Sequence, residues 1–310
     1  MAWTAAKIPD LSGAVAVVTG ANGGLGLEVA RELARKGGHV VMAARDQAKA
    51  EAAVASIRDQ VPGASLELQP LDLASQASAR EAAKRILGGH GRIDILVNNA
   101  GLMGIPERRT EDGFEMQLAV NHLGHFTLTT LLLPALLASD GARVVSVTST
   151  GRHAGRPLDP ANPHLAGSYD PWRAYGQSKL ANVHFALELD RRFRAAGTPA
   201  RSIVVHPGFT NTDLQARSVR ETGGGRSQRF FRAAVQRYGM TPAQGALPHL
   251  RAATDPGAVG GALYTPRWVN WGPPVRRPMF GRSRSREAMG SLWEVSERET
   301  GVSFDLAATP

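Results

Sequence analysis

Tyr175 and Lys179 stand four residues apart in a stretch of helical pattern, so both side chains project from one face, a turn apart. A phenol with its reference pKa near ~10 is a poor acid or base at neutral pH, and a neighbouring cation that favours the phenolate brings it into use. Two further polar residues, Asn121 and Ser149, precede the pair. A Tyr-x-x-x-Lys spacing arises often by accident, so its meaning depends on what else the chain can bind. Other chemistry finds less support. Ser149 and His153 form no hydrolase pair, for no Gly-x-Ser-x-Gly elbow is present and no orienting acid is in view. His122 and His125 sit three apart in an apolar helical stretch without a carboxylate, which reads as helix surface, and no metal site is expected.

The binding element lies near the start. Ala14–Thr19 is a short β-branched run suited to a strand buried on both faces, and it leads straight into Thr19-Gly20-Ala21-Asn22-Gly23-Gly24-Leu25-Gly26 and then a helical pattern. Glycines there let the backbone approach a pyrophosphate, which the free N–H groups and positive end of the helix attract; Gly20, Gly24 and Gly26 fit. Where the second strand ends, Met42-Ala43-Ala44-Arg45-Asp46, a dinucleotide site must address the ribose 2′ position. Arg45 suits the phosphate of NADP(H), and Asp46 reads as the cap of the next helix. NADP(H) is therefore preferred, with NAD(H) second.

These residues need a scaffold. Strand-like runs recur at Val40–Ala43, Leu66–Leu68, Ile93–Val97, Arg143–Thr148 and Ser202–Val205, with alanine-rich helical stretches between most of them. That alternation predicts an α/β fold, a Rossmann-type doubly wound parallel sheet, in one domain spanning 1–310. Two stretches break the rhythm: 151–174, rich in Pro, Gly and Asn, and 212–240, with three consecutive glycines at 223–225. Both follow strands at the carboxyl edge, so they are assigned to the substrate mouth, the first as an insertion and the second as a lid. A C-terminal extension ends in a helix with Ala288, Leu292 and Val295 on one face and Gly301 as its stop.

Composition narrows the class. The chain has no cysteine, which removes disulfides and thiolate chemistry, and its most apolar helical stretch, 126–138, is shorter than the ~20 residues of a membrane span. A cytoplasmic location is expected. The net charge of +9 invites a polyanion, but only five of the 36 basic residues are lysine and no groove-reading motif accompanies them, so no nucleic-acid partner is expected.

Taken in order, the turn at 19–26, Leu71-Asp72-Leu73, Asn98-Asn99-Ala100-Gly101, Asn121, Ser149, the Tyr175–Lys179 segment and His206-Pro207-Gly208 through Thr212 resemble the short-chain dehydrogenase/reductase family. The stretches 169–182 and Leu292–Glu297 resemble its retinol-dehydrogenase-like branch. The resemblance implies that Tyr175 exchanges a proton with the substrate oxygen, Lys179 holds the nicotinamide ribose and lowers the tyrosine pKa, Ser149 polarises the carbonyl, and Asn121 holds a water that links Lys179 to solvent. It implies cofactor contacts at Gly20, Asn22, Gly24, Leu25 and Gly26, at Arg45, at Asp72 and Leu73, and at Asn98, Ala100 and Gly101. Tyr175 and Lys179 again, and Pro207, Gly208, Thr210 and Thr212, complete that set. The implied reaction is hydride exchange between a carbonyl and an alcohol on a bulky, largely apolar small molecule. A dinucleotide-binding regulator, an epimerase or an enone reductase built on the same Tyr–Lys pair are the alternatives. The 26 positions from Ser149 to Tyr175 exceed the compact family pattern, so the insertion shapes the substrate cavity or crowds the helix many relatives pair through; homodimer, tetramer and monomer all stay open.

Overall fold

The computed structural model describes residues 2–211 and 239–306. Eight strands form one sheet in the order β3-β2-β1-β4-β5-β6-β7-β8. They are β1 Val15–Thr19, β2 His39–Ala44, β3 Leu66–Pro70, β4 Ile95–Asn98, β5 Arg143–Val147, β6 Arg201–Val205, β7 Leu263–Pro266 and β8 Pro274–Arg277. All neighbours pair in parallel except β7 and β8, which run antiparallel. Six strands match the sequence expectation to within two residues; β7 and β8 went unforeseen. The expected Rossmann-type doubly wound parallel sheet is present, and that last antiparallel hairpin extends it with two short strands that carry Pro at an end of each.

Strand residues alternate between two apolar layers because successive side chains leave opposite faces. Val17, Val41, Leu96 and Val144 face one layer, and Ala16, Val18, Val40, Met42, Val97 and Val145 face the other. The first layer is covered by α3 Gln76–Gly89, α5 Gly124–Leu131, α7 Pro171–Ala195 and α9 Arg286–Thr300, the second by α1 Gly24–Arg35, α2 Gln47–Gln60 and α8 Pro242–Thr254. Two short turns of helix, α4 Met116–Leu118 and α6 Leu133–Leu137, flank α5. The final helix stops at Gly301 in the left-handed region, φ 62°, as its sequence suggested.

Strand order reverses between β1 and β4, and doubly wound sheets open their ligand crevice at the carboxyl edge of such a reversal. Gly20, φ 66°, makes the first bend there, a conformation glycine adopts freely. Gly26 lets α1 return against that bend: an added Cβ would strike the Gly20 carbonyl and lie 2.6 Å from Asn99 Nδ2. Gly26→Ala should therefore lower stability by about 1–3 kcal/mol in chemical denaturation. Gly88→Ala, whose Cβ meets open space in α3, should be neutral or raise stability by up to about 1 kcal/mol. Equal behaviour of the two variants would remove the close approach from the argument.

Candidate active site

The site is built where α7 crosses the end of β5. Asp170 caps that helix, accepting from Trp172 N at 3.0 Å and Arg173 N at 2.8 Å, with Pro171 at the first position. The helix then comes down to the sheet: Thr148 Oγ1 donates to the Lys179 carbonyl at 2.6 Å, and Asn182 Nδ2 to the Val147 carbonyl at 2.9 Å. Lys179 Nζ also donates to Val147 O, at 3.3 Å, and lies 6.0 Å from the centre of the Tyr175 ring. Ser149, at the start of a 3₁₀ turn Thr150–His153, hydrogen-bonds the Tyr175 side chain. The structure thus brings Ser149, Tyr175 and Lys179 together at the carboxyl edge.

Electrostatics differ from the sequence expectation. Tyr175 and Lys179 are both buried. Burial pushes the Tyr175 phenol up to about 12, and only its hydrogen bond to Ser149 opposes the shift; it pushes Lys179 down to about 8. The expected acidification of the phenol by the ammonium is therefore corrected: desolvation raises the phenol, and the opposing pull comes from Ser149 and not from Lys179.

Asn121 sits in a π-helical stretch, Ala119–Leu123, between α4 and α5. Its side chain accepts from Leu102 N at 2.7 Å and donates to Leu102 O at 3.0 Å and to Ser178 Oγ at 2.8 Å, so the carboxamide clamps the 101–104 segment to α7. Gly101 passes so close that a Cβ there would lie 2.9 Å from Asn121 Oδ1 and 3.2 Å from Lys179 Nζ. All four tetrad residues therefore meet, with Asn121 engaged through its side chain.

His122 and His125 are buried, not surface, which corrects the sequence reading. The carbonyl of Asn121 can only accept, so His125 Nδ1 donates to it at 3.1 Å. Burial holds the His125 pKa down to about 3, so the ring is neutral and its Nε2 accepts from Thr19 Oγ1 at 2.8 Å. Thr19 Oγ1 in turn accepts from Asn99 N at 2.9 Å and Ala100 N at 3.0 Å. Sequence reasoning missed His125 as a link; its i, i+4 spacing from Asn121 was the clue. His122 Nε2 bonds Ser296 of α9 at 2.7 Å.

The positions expected at the cofactor line the same edge. Gly20, Asn22, Gly24, Leu25 and Gly26 form the bend into α1, which begins without a side-chain cap, whereas α2, α3, α7, α8 and α9 each have one. Among the described residues, the N–H groups of its first turn thus stay free of side-chain acceptors, as a pyrophosphate cradle requires. Asn98 ends β4, buried, its Nδ2 on Thr129 Oγ1 at 3.0 Å and its Oδ1 without a partner among the described residues. Arg45, about half exposed, pairs loosely with Asp72 across 3.7 Å, while Asp46 caps α2 as expected, accepting from Lys49 N at 3.1 Å. Leu73 is buried beneath Gly124 of α5, where its carbonyl leaves room for no side chain larger than glycine's. Pro207 and Gly208 follow β6, Thr210 donates to Pro207 O at 3.2 Å, and Thr212 lies outside the described residues, as does the expected lid up to 238. These residues fit a nicotinamide dinucleotide.

A short chain dehydrogenase profile matches residues 14–223. The chain belongs to that family. Its relatives include human retinol dehydrogenase 13, 45% identical over 66% of this chain and 61% of that protein, so the match spans about three fifths of the relative's length. Mouse polyprenol dehydrogenase is 40% identical over 95% of this chain and 86% of its own, and with the first relative it sets the chain in the retinol-dehydrogenase-like branch. Among solved structures, a protein from Mycobacterium paratuberculosis superposes with TM-score 0.81 at 37% identity, covering 99% of this chain and 100% of that one. A short chain dehydrogenase from Escherichia coli CFT073, complexed with NADPH, gives TM-score 0.63 at 25% identity over 82% and 97%. Among the described residues no helix is long and apolar enough to cross a membrane.

Buried imidazoles set an acid limit. His122 and His125 are held down to about 3 by burial, so between that value and ~6.5 the unfolded chain binds more protons than the folded one. Stability should fall as pH drops below about 6.5, by up to about 1.4 kcal/mol per pH unit for each imidazole, read as the urea midpoint. His122→Phe should flatten the slope. A parent midpoint unchanged from pH 7 to 5 would mean these rings gain protons without unfolding.

Proposed function

We propose that the protein is an NADP(H)-dependent oxidoreductase that interconverts a ketone or aldehyde with its alcohol on a bulky, largely apolar substrate. The observation that carries this reading is the buried Tyr175 phenol hydrogen-bonded to Ser149, with Lys179 one turn along the same helix. A bound nicotinamide supplies or accepts the hydride. The chain's own groups handle the proton. A phenol held near 12 stays protonated at neutral pH, so Tyr175 Oη is ready to donate to a carbonyl oxygen as negative charge builds there. Ser149 Oγ shares that oxygen and orients it. Lys179, with a pKa near 8, is charged at neutral pH yet close enough to neutrality to return a proton to the phenolate. Asn121 positions the segment that Lys179 must reach past, and Gly101 keeps that passage open.

The dinucleotide would lie along the Gly20–Gly26 bend, past Asp72 and the Asn98–Gly101 strand end. The 2′-phosphate preference rests on Arg45: its guanidinium is about half exposed and only loosely paired, leaving donors for a phosphate. The names of the retinol and polyprenol relatives support an apolar substrate. The reading takes the chain as one domain.

Two variants test it. Tyr175→Phe should lower kcat by at least about 100-fold against a panel of hydrophobic aldehydes and ketones while NADPH binding is kept; a tenth or more of parental turnover removes Tyr175 from its role. Binding without turnover in the parent would favour a regulator, and product change without net NADPH loss an epimerase. Arg45→Asp should shift the NADPH-to-NADH ratio of kcat/KM by about 10- to 100-fold toward NADH, and an unchanged ratio overturns the NADP(H) preference.

A further inference from the structure

At the amino edge of the sheet, opposite the glycine bend, three side chains from distant parts of the chain meet. His39 opens β2, Glu67 is the second residue of β3, and His90 caps the end of α3. In the β2–β3 register Val41 lies opposite Glu67, and His39, two residues before Val41, shares its face, the face that α3 covers. Glu67 Oε2 lies 2.9 Å from His90 Nε2 and 3.4 Å from His39 Nε2, and the three ligand atoms fall within 4.8 Å of one another. Their side chains are 28, 40 and 14% exposed for His39, Glu67 and His90, so the cluster is half-sunk with one open side.

We propose that these three residues form a site for a divalent transition-metal ion of the zinc type. Two imidazole nitrogens and one carboxylate oxygen are a common zinc donor set, and ligand atoms bound at ~2.0–2.1 Å in a tetrahedron stand about 3.3 Å apart. The Glu67–His39 distance is already of that size, and the Glu67–His90 distance needs to open by a few tenths of an ångström. Orientation is built in as well. His39 Nδ1 faces Ser65 Oγ at 2.7 Å, and a donor role there leaves the Nε2 lone pair directed at the cluster. His90 is fixed at its backbone, its N–H donating to Ile86 O at 2.8 Å. Water completes the fourth position on the open side. The ion would join the edge strand β3 to β2 and to the end of α3, a structural clamp at the far end of the sheet from Tyr175 and separate from the proposed reaction.

Zinc titrated by calorimetry at pH 7.5 into the untagged, chelator-stripped full chain should show one saturable equivalent with micromolar or tighter Kd. His90→Gln and Glu67→Gln should each weaken binding by more than about 100-fold, beyond the usual loss on changing an outer partner, and Ser65→Ala by about tenfold. His153→Gln, away from the cluster, should leave Kd unchanged. Zinc at about 100 times Kd should raise the parental Tm by about 5 °C and leave that of His90→Gln where it was. Should the cluster variants fold poorly, anomalous diffraction at the zinc edge from soaked parental crystals gives a second reading, with the ion expected between the three side chains. No binding tighter than about 100 μM, a Kd indifferent to His90→Gln, or anomalous density elsewhere would overturn the site.

Discussion

The position of α7 against the end of β5 is the constraint on which the rest of the site depends. An ammonium and a phenol are both taken out of water there, and the helix is held by hydrogen bonds that do not involve either reactive atom: Thr148 to the Lys179 carbonyl, Asn182 to the Val147 carbonyl, Gln177 to the Pro163 carbonyl. Two glycines permit the approach. A Cβ on Gly176 would lie 2.5 Å from Gly155 N, and one on Gly151 would lie 2.7 Å from the Tyr175 ring. Main chain therefore packs on main chain beside the phenol, and the ring has little freedom to turn away from Ser149. Since desolvation raises one group and lowers the other, the two pKa values move apart from their ordinary, nearly equal positions, to about 12 and about 8. The same burial thus keeps the proton on the phenol and loosens it from the lysine.

A second constraint joins this helix to the nucleotide bend. Thr19 Oγ1 gathers the N–H groups of Asn99 and Ala100 and gives its proton to His125, which in turn reaches Asn121, which reaches Ser178 on α7. The ends of β1 and β4, the π-helical stretch and α7 are linked by successive bonds, and the neutral imidazole fixes the direction of the two that His125 makes. A charged His125 would reverse one of those directions.

Much of this could be read from residue order, and some could not. The glycine bend, Asp46 as a cap and the six parallel strands rest on local patterns of two to eight residues, which the fold preserves, whereas the tetrad was assembled from the order of motifs that the family resemblance supplied. His122 and His125 were misread because apolar helical spacing does not say whether a polar residue faces water or a partner 174 residues away, as His122 does with Ser296. The phenol's pKa was misjudged for a related reason: spacing gives the distance to a cation but not the dielectric around it. Strands β7 and β8 have four residues each, too short for a period to register. The His39–Glu67–His90 cluster spans 28 and 23 positions and exists only once β2, β3 and α3 are side by side.

The family profile ends at residue 223, yet the C-terminal helix beyond it is part of the site's support. Trp293 packs edge-on to Phe126 at 5.3 Å and beneath the Arg192 guanidinium at 4.1 Å, filling the space between α5 and α7. Farther along, His164 in the insertion accepts from Glu115 N at 3.2 Å, so its Nε2 carries the proton and donates to Glu299 at 3.1 Å. Glu115, lifted in pKa by burial, caps the turn α4 through Gln117 N and Leu118 N and so sets the start of the stretch that carries Asn121. The long insertion and the C-terminal helix are therefore mutually dependent: one supplies the imidazole, the other the carboxylate, and together they fix the entrance to the π-helical stretch. Without the C-terminal helix, His164 would lose the carboxylate that takes its Nε2 proton, and the Glu115 N–H would lose an acceptor held in place.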